Sequence, residues 1–279
     1  MLSKRLLPIF SILSIPIQQI AAQEYKPGLY IKPSIEYSMP IMGTKGFSGN
    51  TDFSINSPSA GGQYVVTGST IKKTSFGNGL WASLHIGYFF TNNFGVDMGI
   101  QMGIQQGNKE YTYTLVDHYV SNRIDTKANR PILLNPSAIY RTPINDKFTF
   151  QGKAGVVLPF RTTIMQEEYR YPNTNLTSKI TNRFAFGFSC GLGTEYKVSQ
   201  HFAVSAETNM IALSTDTKRR EITSFEVDGK ELINEVPDNI RITNYEYDVK
   251  YTGSSSNIAE PISIPFSRLG IKLGVAYYF

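Results

Sequence analysis

Ten ionisable residues stand at alternate positions within otherwise apolar stretches: Lys32, Glu36, Asp97, Arg141, Lys153, Arg183, Glu195, Glu207, Arg268 and Lys272. Charges gathered on one face of such segments must pair or hydrogen-bond if that face is enclosed, because an unpaired ion in a low-dielectric interior is costly. The first chemistry to expect is therefore structural, a salt-bridge network closing an enclosed space. The functional alternative is a charged constriction that admits ions or small solutes with weak selectivity, since the two signs are nearly balanced. Catalysis has little to draw on. His85, His118 and His201 are the only histidines. His85 shares a face with Ser83, a spacing that would let an imidazole activate a hydroxyl, but same-face pairs two residues apart are common, and a hydrogen-bonded interior histidine is the expectation. Asp117 and His118 form an acid–histidine pair in a loop without the further acidic residues a hydrolytic site would need. No Cys/His cluster has zinc spacing, and Asp216, Asp228 and Asp238 lack a calcium-loop pattern. No enzyme, metal or cofactor is expected.

The elements that carry these residues read as β-strands, with apolar residues two apart and bounded by Gly, Pro, Asn and Asp. Leu29, Ile31, Ile35 and Tyr37 alternate with Tyr30, Lys32, Ser34 and Glu36. The same pattern runs through Leu80–Phe90, Val96–Ile104 and Leu134–Arg141, then Lys147–Phe160, Arg183–Lys197, His201–Leu213 and Phe266–Phe279. That makes eight strands. Connections after the even-numbered ones are tight, at Asn92–Asn93, Asn145–Asp146 and Ser199–Gln200, while the others, 39–78, 108–130, 161–182 and 214–265, are long. Within the last, Ser224–Val227 and Lys230–Ile233 flank Asp228-Gly229 as a small hairpin, with a polar strand near Arg241–Lys250. These segments either extend the seventh and eighth strands beyond the wall or add a pair to it, and in the second case the count becomes ten. The fold class is all-β, an antiparallel up-and-down barrel of about eight strands.

Alternation alone does not say which face is outside. Aromatics on the apolar face gather at the short-turn end: Tyr88, Phe90, Phe94, Tyr140, Phe148, Tyr196, Phe202, Tyr277 and Phe279. That is where an interfacial girdle belongs in a transmembrane barrel. The other face is built from small residues, including Gly87, Gly99, Gly155, Gly191, Gly270 and Gly274, together with the ten charges. Small residues suit the crowded lumen of a narrow barrel better than a water-exposed wall.

Lys4 and Arg5 precede an apolar run to Ile17, with small residues at Ala21 and Ala22, so residues 1–22 are expected to be a secretory signal peptide. The single cysteine, Cys190, excludes a disulfide framework, and no segment beyond the signal peptide has the roughly 20 apolar residues of a spanning helix. The net charge of +5 falls by two once Lys4 and Arg5 are removed, too little to suggest a nucleic-acid partner. Lys72, Lys73 and the run Lys218–Arg220 could meet the phosphates of anionic head groups at the long-loop rim.

The chain ends on Tyr277, Tyr278 and Phe279 after an alternating strand. This resembles the C-terminal signature of Gram-negative outer-membrane β-barrels, in which a terminal Phe is associated with recognition by the barrel-assembly machinery. The topology is similar to the outer-membrane protein A and X barrels, and the Tyr- and Gly-rich strands are similar to outer-membrane β-barrel domains of Bacteroidota, including PorT-like proteins. The resemblance implies a cell outer-membrane location, periplasmic termini and extracellular long loops. Expected partners are outer-membrane lipids, lipopolysaccharide and, through Phe279, the assembly machinery. A structural or surface-interaction role is the expected function, with a narrow porin-like channel and an accessory role in secretion as alternatives.

Overall fold

A computed structural model describes residues 27–41, 55–56, 65–66, 75–106, 109–115, 120–170, 173–247 and 258–279. The signal peptide expected at 1–22, Lys72, Lys73 and the Asp117–His118 pair lie outside the described residues. Eight long strands form the wall: β1 (Gly28–Pro40), β2 (Gly79–Phe89), β3 (Phe94–Gln106), β4 (Ile132–Pro143), β5 (Phe148–Arg161), β6 (Gly187–Lys197), β7 (Phe202–Ala212) and β8 (Arg268–Tyr278). Each pairs antiparallel with its sequence neighbours. β1 also pairs with β8, Tyr30 opposite Tyr278 and Glu36 opposite Lys272, so the barrel closes at eight strands.

The period of two sorts side chains in and out along every strand. On β1, Lys32, Ser34, Glu36 and Ser38 are buried while Ile35 and Tyr37 are 57% and 67% exposed. On β7, Ala203, Ser205, Glu207, Asn209 and Ile211 turn inward, with Phe202, Val204 and Met210 outside. Polar groups inside and bare apolar groups outside is the reverse of a soluble barrel. Water would oppose that exposure at about 25 cal/mol per Å2 of apolar surface, and hydrocarbon does not.

The three tight turns share one device. Thr91 Oγ1, Asn145 Oδ1 and Ser199 Oγ accept hydrogen bonds from the backbone N–H of Phe94 (2.9 Å), Phe148 (2.8 Å) and Phe202 (3.1 Å). A short polar side chain thus closes each turn, and a Phe opens each following strand. The rings pair outward along this rim: Phe94 with Tyr140 at 4.9 Å, Phe148 with Tyr196 at 5.0 Å and Phe202 with Tyr277 at 5.0 Å between centroids. These pairs are the expected girdle.

At the other rim the structure corrects the reading of long irregular loops. The hairpins Lys109–Leu115/Val120–Ala128 and Ile164–Arg170/Thr174–Asn182 pair side by side with Ser214–Val227, Ile242–Tyr245 and Ile258–Ala259 in a second sheet above the wall. The ten-strand alternative falls with it. Ser214–Val227 and Lys230–Glu231 form the hairpin expected at Asp228 (φ 51°) and Gly229 (φ 78°), and Ser214–Val227 follows β7 directly, carrying the chain beyond the wall as a strand of the second sheet. Its polar residues suit water on the outer face, not lipid.

Candidate functional site

The lumen is built in layers along the barrel axis. At the short-turn end Tyr30, Phe89 and Ile139 pack together with Tyr278 against them, Tyr30 lying 5.5 Å from Phe89 and 5.6 Å from Tyr278 between ring centroids. The Arg141 guanidinium lies 3.6 Å above the Phe89 ring, and its Nε donates to the Asn92 carbonyl in the β2–β3 turn (2.9 Å). Arg141 is therefore a lumen residue, as expected, and it ties the floor to a turn.

Above the floor, four cations meet four carboxylates. Lys32 reaches Glu195 at 3.4 Å and Glu207 at 3.7 Å; Lys153 reaches Asp97 at 3.5 Å and Glu207 at 3.8 Å. Lys272 reaches Glu207 at 3.6 Å and Glu36 at 3.7 Å, and Arg268 Nε donates to Glu36 at 2.8 Å. Each lysine spans two carboxylates supplied by other strands, so the network laces the wall together. Neutral groups complete it. Asp97 accepts from Tyr30 Oη and contacts His85 Nδ1 at 2.7 Å. Glu195 accepts from Tyr278 Oη (2.5 Å), and Glu36 accepts from Asn209 Nδ2 (3.1 Å). A carboxylate only accepts, so the His85 proton facing Asp97 is on Nδ1 and Nε2 points toward Lys272 Nζ at 3.5 Å. Ser83 hydrogen-bonds Ser34 (2.7 Å) and takes no part with His85, so the geometry assembles a held histidine and no nucleophile–base pair.

Arg268 joins the ionic layer to a third. Its guanidinium lies 3.7 Å above the Trp81 ring and donates to Gln101 Oε1. Beyond it a buried apolar cluster fills the long-loop end: Phe76, Trp81, Leu133, Val157, Ile211 and Phe266 from the wall and its edges, with Ile164 and Ile180 from the second sheet. Phe76 N–H donates to the Pro265 carbonyl (2.8 Å) and Trp81 Nε1 to the Gly77 carbonyl (2.8 Å), folding the entry to β2 into the mouth. A Cβ on Gly77 would lie 2.2 Å from the Phe266 carbonyl oxygen, so only glycine allows this approach.

Nine of the ten charges singled out from the sequence thus line the lumen. The exception is Arg183. Wall strand β6 begins at Gly187, four residues later than the sequence pattern suggested, and Arg183 lies in the link between it and the second-sheet strand that ends at Asn182. Its backbone N–H donates to the Asp216 carbonyl (2.7 Å), and its guanidinium lies 4.9 Å from the Tyr247 ring centroid and donates to the Tyr245 carbonyl. The hydroxyl and amide partners Tyr30, Tyr278, Gln101 and Asn209 were not singled out. Their signal was available, because each shares the inward parity of a charged neighbour on its own strand. The apolar mouth had no such signal, since Phe76, Ile164 and Ile180 come from segments read as loop. Of the rim lysines and arginines, Arg219 pairs with Glu221 (3.2 Å) and Arg220 turns toward Glu168 (3.8 Å), leaving Lys218 exposed on the outer face.

Residues 9–251 match the family described as the outer membrane protein beta-barrel domain. The chain belongs to this family. It is an outer-membrane β-barrel protein, and the closed eight-stranded wall is the barrel that the family description names. Among solved structures, the outer membrane protein OprG from Pseudomonas aeruginosa is similar at 12% identity, over 92% of this chain and 99% of its own, with a TM-score of 0.46. Ail, the attachment invasion locus protein of Yersinia pestis, is similar at 9% identity over 91% of this chain and 97% of its own. Its TM-scores are 0.32 in complex with the heparin analogue sucrose octasulfate and 0.30 in a second structure. No curated protein matches the sequence.

Proposed function

We propose that this outer-membrane barrel is a closed surface protein whose work is done by the sheet at its long-loop end, with its termini in the periplasm. The observation that carries this reading is the threefold filling of the lumen: the Arg141–Phe89 floor, the balanced ionic layer, and the apolar mouth around Trp81 and Phe266. A conducting path needs a wetted track, and an apolar constriction resists wetting even where it is wide enough for an ion. The barrel then serves as a rigid anchor, and the polar second sheet is what the environment meets. Catalysis has no place in this reading, because His85 is engaged on both nitrogens.

Single-channel recording of the mature chain refolded into a planar bilayer tests it, after a heat-modifiable gel shift confirms folding. Silence is the expected outcome. Steady ion conductance would overturn the closed reading in favour of a narrow diffusion channel, and its selectivity would identify the charges that line the path. Orientation is read separately with Gly229→Cys and a membrane-impermeant maleimide on intact cells. Labelling is expected, and protection until the outer membrane is breached would invert the barrel.

A further inference from the structure

The apolar outer wall is uneven at the long-loop rim. Phe160 on β5 and Phe184, Phe186 and Phe188 at the entry to β6 are 76%, 75%, 66% and 62% exposed, and Phe186 and Phe188 meet edge to face at 6.2 Å. Phe188 is opposite Val156 in the β5–β6 register, so these rings share one side of the barrel. Immediately beyond them stand cations. Arg161 follows Phe160 and is opposite Ile132, which Arg130 precedes by two residues. Arg183 precedes Phe184, Asn182 donates to the Thr162 carbonyl (2.5 Å), and the Arg183 N–H bonds Asp216, two residues before Lys218. Arg130, Arg161 and Lys218 are exposed and Arg183 is half-buried. Four neighbouring strand positions at about 4.8 Å spacing put this belt within roughly 15 Å. Asp216 beside this belt is engaged, its carboxylate accepting from Tyr247 Oη (2.5 Å), and the exposed Glu246 and Glu260 lie on the side of the Ser214–Val227 strand away from Arg183.

A cationic belt directly beyond a ridge of bare rings matches an amphiphile with several acyl chains and an anionic, phosphate-bearing head. Acyl chains would lie along the rings, while phosphates would meet the guanidinium and ammonium groups as charge-assisted pairs. We infer that the β4–β7 side of the barrel is a docking site for lipopolysaccharide, seated by Phe160 and Phe184 below and by Arg130, Arg161 and Lys218 above. This rests on the outward orientation of the long-loop end proposed above. Vesicles carry the glycolipid in both leaflets, so the binding test below fails only if the site is wrong, whereas the cysteine labelling fails only if the orientation is.

The test uses the full mature chain refolded into phosphatidylcholine vesicles with and without deep-rough lipopolysaccharide. The temperature at which the folded gel band is lost is measured for the wild type, for Arg161→Glu/Lys218→Glu and for Phe160→Ala/Phe184→Ala. Lipopolysaccharide should raise the wild-type midpoint, and each double variant should lose at least half of that rise while keeping its midpoint in plain phosphatidylcholine. If charge reversal prevents folding, Arg161→Gln/Lys218→Gln replaces it with the same expectation. An undiminished rise in either variant overturns the site. So does an equal rise from phosphatidylglycerol, which would make the effect general anion attraction, or a cross-linked dimer that lipopolysaccharide fails to disperse, which would assign the ridge to a second copy.

Discussion

Asp97 illustrates how a single residue in this lumen is worth more than its charge. It accepts from Tyr30, meets His85 at 2.7 Å and Lys153 at 3.5 Å, and so ties the floor to the ionic layer. Lys272 bridges two carboxylates, but Glu36 keeps Arg268 and Glu207 keeps Lys32 and Lys153 when it is removed. Asp97→Ala should therefore destabilise the barrel by about 3–5 kcal/mol, the cost typical of breaking a buried pair, and Lys272→Ala by clearly less. Urea unfolding in vesicles checks the order, and equal losses would mean the network does not share charge as its contacts imply. That these residues point inward was legible from parity alone. Which cation meets which anion was not, because pairing across the lumen depends on stagger between strands far apart in sequence.

At the scale of elements, the tight turns were readable from the polar pairs Asn92–Asn93, Asn145–Asp146 and Ser199–Gln200 just before a Phe, while the closing hydrogen bonds of Thr91, Asn145 and Ser199 came from the structure. The hairpin at Asp228-Gly229 was readable for the same kind of local reason. It also shows a pH dependence that follows from its hydrogen bonds. The Glu231 carboxylate accepts from Ser224 Oγ (2.6 Å) and from the N–H groups of Phe225 (2.9 Å) and Ile233 (3.2 Å). The Ser224 hydroxyl first, and then the Phe225 N–H, hold its pKa below the ordinary 4.5. A lowered carboxylate pKa adds order that is present above the unfolded value and is lost as pH falls through the folded one. Protection of the Phe225 and Ile233 amides from exchange, taken relative to the intrinsic rate at each pH, should accordingly hold at neutral pH and fall below pH 4.5, while that of the wall strands holds. Glu231→Gln should flatten that response. The second sheet was not legible as a sheet: its strands look like polar loop, and they become strands by pairing with one another across three separate connections.

At the scale of the molecule, closure depends on the first and last wall strands meeting. Phe279 donates its backbone N–H to the Leu29 carbonyl (3.0 Å), while its ring is 65% exposed and packs edge-on against Tyr277 at 4.9 Å. A ring so exposed makes few contacts within the folded wall, so if it serves assembly, as the resemblance implies, its loss acts before closure and not after. Phe279→Ala should lower the amount of folded barrel in cells more than it lowers the urea midpoint of barrel already folded. Matched losses would make the ring a packing residue only.

The sequence by itself determined the makings of the wall: eight alternating segments, their inward and outward faces, the girdle at the short-turn rim, and nine of the ten lumen charges. A period of two is local, and each residue's face follows from its neighbours two positions away. The tertiary structure decided what is non-local. Closure at eight was settled by β1 meeting β8, the fate of Arg183 by where the second sheet hands over to β6, and the apolar mouth by Phe76, the Ile164/Ile180 hairpin pair and Phe266 arriving from three distant segments. No short window of sequence holds those partners together. Only the closed barrel, by bringing distant strand ends onto one rim, does so.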